Sequence, residues 1–419
     1  ASSLPSERDA MDDGRYGPLE RIRAAAGDDP LRWLVNAVDA CAPSFAIRNA
    51  IWTALAPYID VMPGSSALTR TFCRGLAIPV HHRPAGLRER IDAMEVMRQP
   101  IGPALRLDGK QRKGVVEAAR GVLIGHLRET DTVSLAGPDH VELFDMGEGI
   151  AIALLTLPPE RRSLYDSYIG YVAFSNSVPV AYGGAWVFPG KSKVGINVFP
   201  AFRGGPSTML FAQILRCYAQ HYDIGRFEAD NYQLGHANPD GIRSGAYWFY
   251  HKLGFRTMDV ELAEVAERER ALMSKTRSYR SPATVLRRLV AEPMWLDLRD
   301  EHAPITEPIG ISEEVLRRLG RIGTGDRERA RELCVGKVMR ATGVKGISTW
   351  PPNEQEAFRA LAPVISMIEG LEQWSGGERR ALIALMRSKG GATEREFISA
   401  LRSHPRLLNG LHALAASHC

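Results

Sequence analysis

Cysteine is scarce in this sequence and never paired. Cys41, Cys73, Cys217, Cys334 and Cys419 are scattered over 419 residues, with no two at metal-ligand spacing. That distribution excludes a disulfide-framed small scaffold and a paired-cysteine metal site, and it suits reduced thiols. Long apolar runs are also missing. The longest, Ile150 to Leu157, falls far short of the roughly 20 residues that a helix needs to cross a bilayer. No signal-peptide pattern is visible at the start, so the expectation is a soluble, cytoplasmic chain with no membrane partner. Nor is there a strong excess of one charge: 53 basic against 48 acidic residues leaves a formal +5. Such a balance accommodates an anionic cofactor or an acidic partner without demanding nucleic acid.

What remains is the composition of an ordinary globular protein, 45% hydrophobic and 24% charged, with length enough for two or three domains. Residues 1–135 read as a helical region. Apolar positions recur at helical spacing around Leu19, Ile22, Leu31 and Leu34, Asp29 before Pro30 suits a helix start, and Phe45 to Tyr58, Ala85 to Gln99 and Lys113 to Glu129 are further candidates. Adjacent His81 and His82 sit in a loop without a third ligand nearby, so no metal is expected. Residues 136–262 turn to strands. Val141 to Asp145 and Gly149 to Leu155 form one hairpin, and Tyr168 to Phe174 with Pro179 to Phe188 form a second, turning at Asn176-Ser177. Residues 263–419 return to helices: Val260 to Lys275, Pro282 to Ala291, Ser312 to Ile322, Asp326 to Thr342, Glu354 to Leu371, Gly377 to Ser388 and Thr393 to Ser403.

One stretch organises the chain. Lys193 to Phe199 is a short apolar strand, and Pro200 to Gly205 is a turn that leads into an amphipathic run from Pro206 to His221. Arg226 to Tyr232 reads as a second strand, and Ser244 to Phe255 closes the stretch. Strand, glycine turn, helix, strand, helix is an α/β unit. Gly204 and Gly205 allow close approach of a ligand to backbone, and Pro206 suits the first helical position. Ser207 and Thr208 keep that turn polar, so free N–H groups, the helix dipole and Arg203 together suit a phosphate. The same Gly-Gly-Pro is also an ordinary way to leave a strand and start a helix.

Arg203-Gly204-Gly205 after a strand, followed by Phe249-Tyr250-His251-Lys252-Leu253-Gly254-Phe255, resembles the GNAT superfamily of acyl-CoA-dependent N-acyltransferases over about 168–260. The resemblance implies a GNAT-like mixed α/β (α+β) sheet flanked by N-terminal and C-terminal helical regions. It implies acetyl-CoA or another acyl-CoA as co-substrate, with the pantetheine arm along Val198 and Phe199. The pyrophosphate would lie at Phe202, Arg203, Gly204, Gly205, Ser207 and Thr208. It also implies Tyr250 as the acid that protonates the departing thiolate. Three positions depart from the family pattern. Pro206 and Thr208 stand where its turn carries glycine and glycine or alanine, and Pro200 stands where many members carry a basic glutamate.

An amine acceptor must lose a proton, and a positioned base can contribute about a hundredfold or more. Asp230 and Glu228, on one face of the second strand, are the candidates, with Tyr232, Gln233 and Asn238 lining the acceptor pocket. The expected function is acyl transfer to a small-molecule or peptide amine by direct attack in a ternary complex. Two other readings stay open. One is a transferase of the same fold that takes its acyl group from aminoacyl-tRNA or an acyl carrier. It would use the basic residues Arg277, Arg280, Arg287, Arg288, Arg317, Arg318 and Arg321 to hold an acidic carrier or RNA. The other is an inactive interaction protein. A dimerising role for the C-terminal helices, giving a homo-oligomer, is open as well. Two imitations are set aside. Pro189-Gly190-Lys191-Ser192 lacks the first glycine of a P-loop, having Ala185 there, and precedes a strand. Trp374-Ser375-Gly376-Gly377-Glu378 echoes an ATPase signature but reads better as a helix capped by Ser375.

Overall fold

The computed structural model describes residues 26–27, 29–41, 44–55, 76, 78–82, 91–203, 207–299, 308–322 and 326–416. The chain divides into two compact units, Ala1–Met62 and Pro63–Cys419. In the first, α1 (Pro30–Cys41) and α2 (Phe45–Leu55) form a helix pair. The start of α1 follows from Asp29, whose Oδ1 accepts the Arg32 N–H at 3.0 Å. The helical positions expected around Leu19 and Ile22, and in 85–90, lie outside the described residues.

The second unit is built on a mixed sheet of nine strands among the described residues, flanked by helices. Four antiparallel strands come first: β1 (Val141–Gly147), β2 (Ile150–Thr156), β3 (Ser167–Ser175) and β4 (Val178–Phe188). Every residue of β2 is buried, as its unbroken apolar run requires of a strand covered on both faces. Both expected hairpins are present. Asn176 and Ser177 turn the second with φ of 48° and 65°, the left-handed pair whose twist matches the flanking strands. The strand expected from Lys193 to Phe199 is broken in two. β5 (Lys191–Val194) pairs with β4, the chain jogs at Gly195-Ile196, and β6 (Asn197–Val198) pairs with β4 again.

Helix α6 (Ser207–His221) then crosses to β7 (Arg226–Ala229), which runs parallel to β5. The pairing covers only Ser192↔Phe227 and Lys193↔Glu228, after which the two strands part. The second strand does not reach Tyr232 as the sequence suggests. Asp230 ends it by capping α7 (Asn231–Leu234), accepting the Gln233 N–H at 2.8 Å. Helices α8 (Pro239–Ser244) and α9 (Ala246–Lys252) follow. The sheet closes with β8 (Arg256–Thr257) and β9 (Met294–Asp297), in the order β7-β9-β8. Strand β9 is four residues long, too short to show a period, and was not anticipated.

Two cores sandwich the sheet. On one face α6 buries twelve side chains and packs with α3 (Ala93–Arg98) and α9. Helices α10 (Val260–Lys275) and α11 (Ala283–Leu289) contribute Val265, Ala266, Leu286 and Leu289 to the same core. On the other face lie α4 (Gly109–Gly125) and α5 (Asp131–Leu135), with Val115, Ala119 and Val133 against Val172 and Phe174.

The C-terminal helices α12 (Pro308–Ile322), α13 (Arg327–Thr342), α14 (Pro352–Ser366), α15 (Gly376–Ser388), α16 (Glu394–Arg402) and α17 (Pro405–Ala416) surround a third core centred on Phe358, Leu382 and Phe397. Ser375 caps α15 in a reciprocal box with Glu378, as the sequence suggests. The bundle is joined to the start of β3 by buried charge. Lys389 Nζ lies 2.9 Å from Glu394 Oε2, which also accepts the Ser167 hydroxyl at 2.8 Å. Arg162 donates to the carbonyls of Lys389 and Gly391.

Candidate functional site

Strand register sets four side chains in a row on the α4–α5 face of the sheet. Tyr168 is opposite Trp186, Trp186 is opposite Lys193, and Lys193 is paired with Glu228 of the parallel strand, with Asp230 just past that strand's end. The Tyr168 and Trp186 rings stack at 4.4 Å, 16° from parallel, and the Tyr168 hydroxyl lies 2.9 Å from Thr130 Oγ1. Two residues along each strand the side chains vanish, because Gly170 is opposite Gly184, whose carbonyl accepts the Gly195 N–H at 3.3 Å. A Cβ on Gly184 would meet the Tyr168 ring at 2.6 Å, and one on Gly195 would meet the Gln233 amide at 2.8 Å. The bare backbone thus lets Tyr168 and Gln233 lie flat. An open cleft of about 720 Å³ results, walled by Tyr168, Trp186, Lys193 and Asp230.

The charges in this cleft are paired. Lys191 Nζ is 3.0 Å from Glu228, and both are buried. Lys191 and Arg226 also lie 5.5 and 5.7 Å from the centre of the Trp295 ring. Lys193 Nζ is 3.0 Å from Asp230 Oδ2. Glu228 and Asp230 do share a face, but Glu228 is sealed in its ion pair beneath the surface. Asp230 reaches the cleft with one oxygen on Lys193 and the other on the cap of α7. Of the two carboxylates, Asp230 is the one a ligand can touch.

Behind Gln233 is Tyr250. Its ring is 2% exposed, and its hydroxyl donates to Gln233 Oε1 at 3.5 Å beside the backbone of Ile196, where β5 gives way to the jog. Burial, and then the Asp230 charge, push the phenol well above its usual range, so it keeps its proton. Tyr171, also buried, donates to the Gly195 carbonyl at 2.9 Å and fixes the jog from the same side. The fork between β5 and β7 therefore has the cleft on one face, a protonated phenol on the other, and one amide side chain between them.

The next residue, His251, is 9% exposed, and burial followed by Arg256 and Arg270 lowers it to about 4. The folded state then binds fewer protons than the unfolded chain between pH 4 and 6.5, so stability rises with pH there and is lost on acidification. His251→Gln should flatten that limb of a urea midpoint-versus-pH curve, a difference of up to about 3 kcal/mol. An unchanged slope would remove His251 as its origin.

The residues expected to hold a cofactor are placed unevenly. Gly204 and Gly205, with Pro206, lie outside the described residues. Ser207 and Thr208 begin α6 half-buried. Arg203 is exposed and folds back, its Nε donating to the Val198 carbonyl at 3.2 Å, and Phe202 beside it is partly exposed. Val198 is half-buried in β6. The Phe199 ring is unavailable to a ligand, because it is 2% exposed and stacks between His126 at 4.3 Å and Tyr182 at 5.4 Å. Of the expected acceptor residues, Gln233 lines the cleft. Tyr232 points to solvent, 58% exposed, and Asn238 caps α8 while donating to the Tyr232 carbonyl at 3.1 Å.

The basic helices are partly spent on themselves: Arg317 and Arg318 both bond Glu314, and Arg288 is 3.8 Å from Glu261. Tyr168, Trp186, Lys191 and Lys193 were not singled out from sequence, since only the register of β3, β4 and β5 makes them neighbours. Among the described residues no group of three or more His, Cys, Asp or Glu is arranged to hold a metal, and no helix is long and apolar enough to cross a membrane. Comparison of the chain with protein-family models, with curated proteins and with solved structures found no match.

Proposed function

We propose that this chain is an N-acyltransferase of the GNAT type, moving an acyl group from acetyl-CoA or another acyl-CoA to an amine held in the cleft. The observation that carries this reading is the Tyr250 phenol, protonated and buried at the fork of β5 and β7, one amide away from an open cleft. The acceptor ammonium first gives a proton to Asp230 or water, and its neutral nitrogen then attacks the thioester carbonyl, so that the C–N bond forms and the C–S bond breaks. The thiolate takes the Tyr250 proton. The proton lost by the amine passes through Asp230 or water to solvent, from which the phenol is recharged. Gln233 holds the phenol from the cleft side, and Asp230 gives the incoming ammonium a carboxylate whose charge Lys193 already balances. The donor arm would run along β5 and β6 towards Arg203.

Calorimetry with acetyl-CoA tests the donor. Arg203→Glu should weaken binding by about tenfold or more, as loss of a charge-assisted phosphate contact does. An unchanged titration would dismiss the turn as the pyrophosphate site. A thermal-shift comparison of acetyl-CoA, longer acyl-CoAs and tRNA separates the other readings, because a ligand that binds only the folded state raises the midpoint. A tRNA-only shift would favour a different donor. No shift with any of them would favour an inactive interaction protein, the reading that the folded-back Arg203 supports.

A further inference from the structure

The acceptor cleft has a pattern of its own. Trp186 is 43% exposed and already stacked on Tyr168, whose hydroxyl Thr130 pins, so its outer face is a rigid platform open to the cleft. One strand over is Lys193, its side chain 45% exposed, with Asp230 occupying one of its three N–H donors. Just past the end of the next strand is Asp230, whose oxygens each retain a lone pair, beside Gln233 and the fork. Flat ring and cation thus lie on neighbouring strands, about 4.8 Å apart, and the carboxylate lies beyond the cation, its Oδ2 3.0 Å from Lys193 Nζ.

Resting on the transferase reading above, we propose that the acceptor is an aromatic α-amino acid. Its ring lies on Trp186, its carboxylate on Lys193, and its amine on Asp230 at the mouth of the fork. The step from one strand to the next is comparable with the reach from such a ring to the α-carbon and its two polar groups. A plain alkylamine leaves the Trp186 platform and the Lys193 donors unused. A cationic ring over Trp186 would meet Lys193 as a like charge. A polyphosphate would meet the Glu129 and Asp166 that also line the cleft.

The test is calorimetry on the full chain without donor, comparing L-phenylalanine with phenethylamine, which lacks the carboxylate, 3-phenylpropionate, which lacks the amine, and L-alanine, which lacks the ring. L-Phenylalanine should bind about tenfold or more tightly than each, and Trp186→Leu should cost about the same factor. Lys193→Gln should collapse the ratio between L-phenylalanine and phenethylamine, a readout that general damage to the fold would not produce. Alanine or phenethylamine binding as tightly as phenylalanine would overturn the proposal, as would no binding of phenylalanine. With acetyl-CoA added, transfer to ringless amines but not to phenylalanine would overturn it while leaving the transferase reading intact. The expected binding pattern without N-acylphenylalanine formation from acetyl-CoA or longer acyl-CoAs would keep the amino-acid site and sink the transferase.

Discussion

Tyr250→Phe should lower acyl transfer by about a hundredfold or more while acetyl-CoA affinity stays nearly constant. The substitution removes one oxygen and keeps the ring. That ring packs edge-on against Phe211 at 5.6 Å and Phe255 at 5.3 Å, contacts a phenylalanine preserves. The hydrogen bond lost, to Gln233 at 3.5 Å, is long, so little stability goes with it. What disappears is the proton available to the leaving sulfur. Because burial raises the phenol, the acid remains loaded throughout the neutral range, and the alkaline limb of the rate should not report its ionisation near pH 10. Steady-state kinetics beside calorimetry would decide the matter. A rate that survives the substitution would strip Tyr250 of its role and remove the observation on which the functional reading stands.

Glu394→Gln should destabilise the Pro63–Cys419 unit by about 3–5 kcal/mol. Glu394 is the carboxylate between two buried cations, Lys389 at 2.9 Å and Arg162 at 3.6 Å, and the side chains of all three are at most 5% exposed. Burial already lowers Lys389, which is held charged by Glu394 and by the Asp166 carbonyl at 2.8 Å. Replacing the carboxylate by an amide keeps the shape and leaves two cations close together in a buried site. The cost comes from uncompensated charge, so Lys389→Met combined with Glu394→Gln should recover part of it. Urea unfolding would measure this as a lower midpoint. A midpoint within error of the parent would show that water or Asp166 already neutralises the cluster. Asp166 also lines the cleft, so damage here should reach ligand binding, which makes the C-terminal bundle part of the site's support.

Much of the local structure was legible because it is written in local terms. The helix expected at Val260–Lys275 has those bounds, since Asp259 caps it and alanine and leucine recur with the helical period through it. Ser375 and Glu378 three residues apart specify a capping box wherever they meet a helix start, which separates that segment from an ATPase signature. Asn176-Ser177 between two alternating strands is enough for a hairpin. The boundaries that failed are those where a long-range contact ends an element. The strand in Arg226–Tyr232 ends at Ala229 because its partner β5 departs from it near Gly195, which leaves Asp230 to cap the helix at Asn231. Strand β9 is a strand only because the edge of β7 is there to pair with it.

By itself the sequence determined the kinds of element and their order, because period, caps and turn residues act within a few positions of the chain. It also marked Tyr250 and Asp230 as groups worth following. Only the tertiary structure decided which of the paired carboxylates is free to meet a ligand, and that Tyr168, Trp186 and Lys193 form one row with Asp230 ion-paired at its end. It alone brought Ser167 to Glu394, 227 positions away. Such neighbours are set by strand register and by the burial of charge, and both are properties of distant segments meeting rather than of any one stretch.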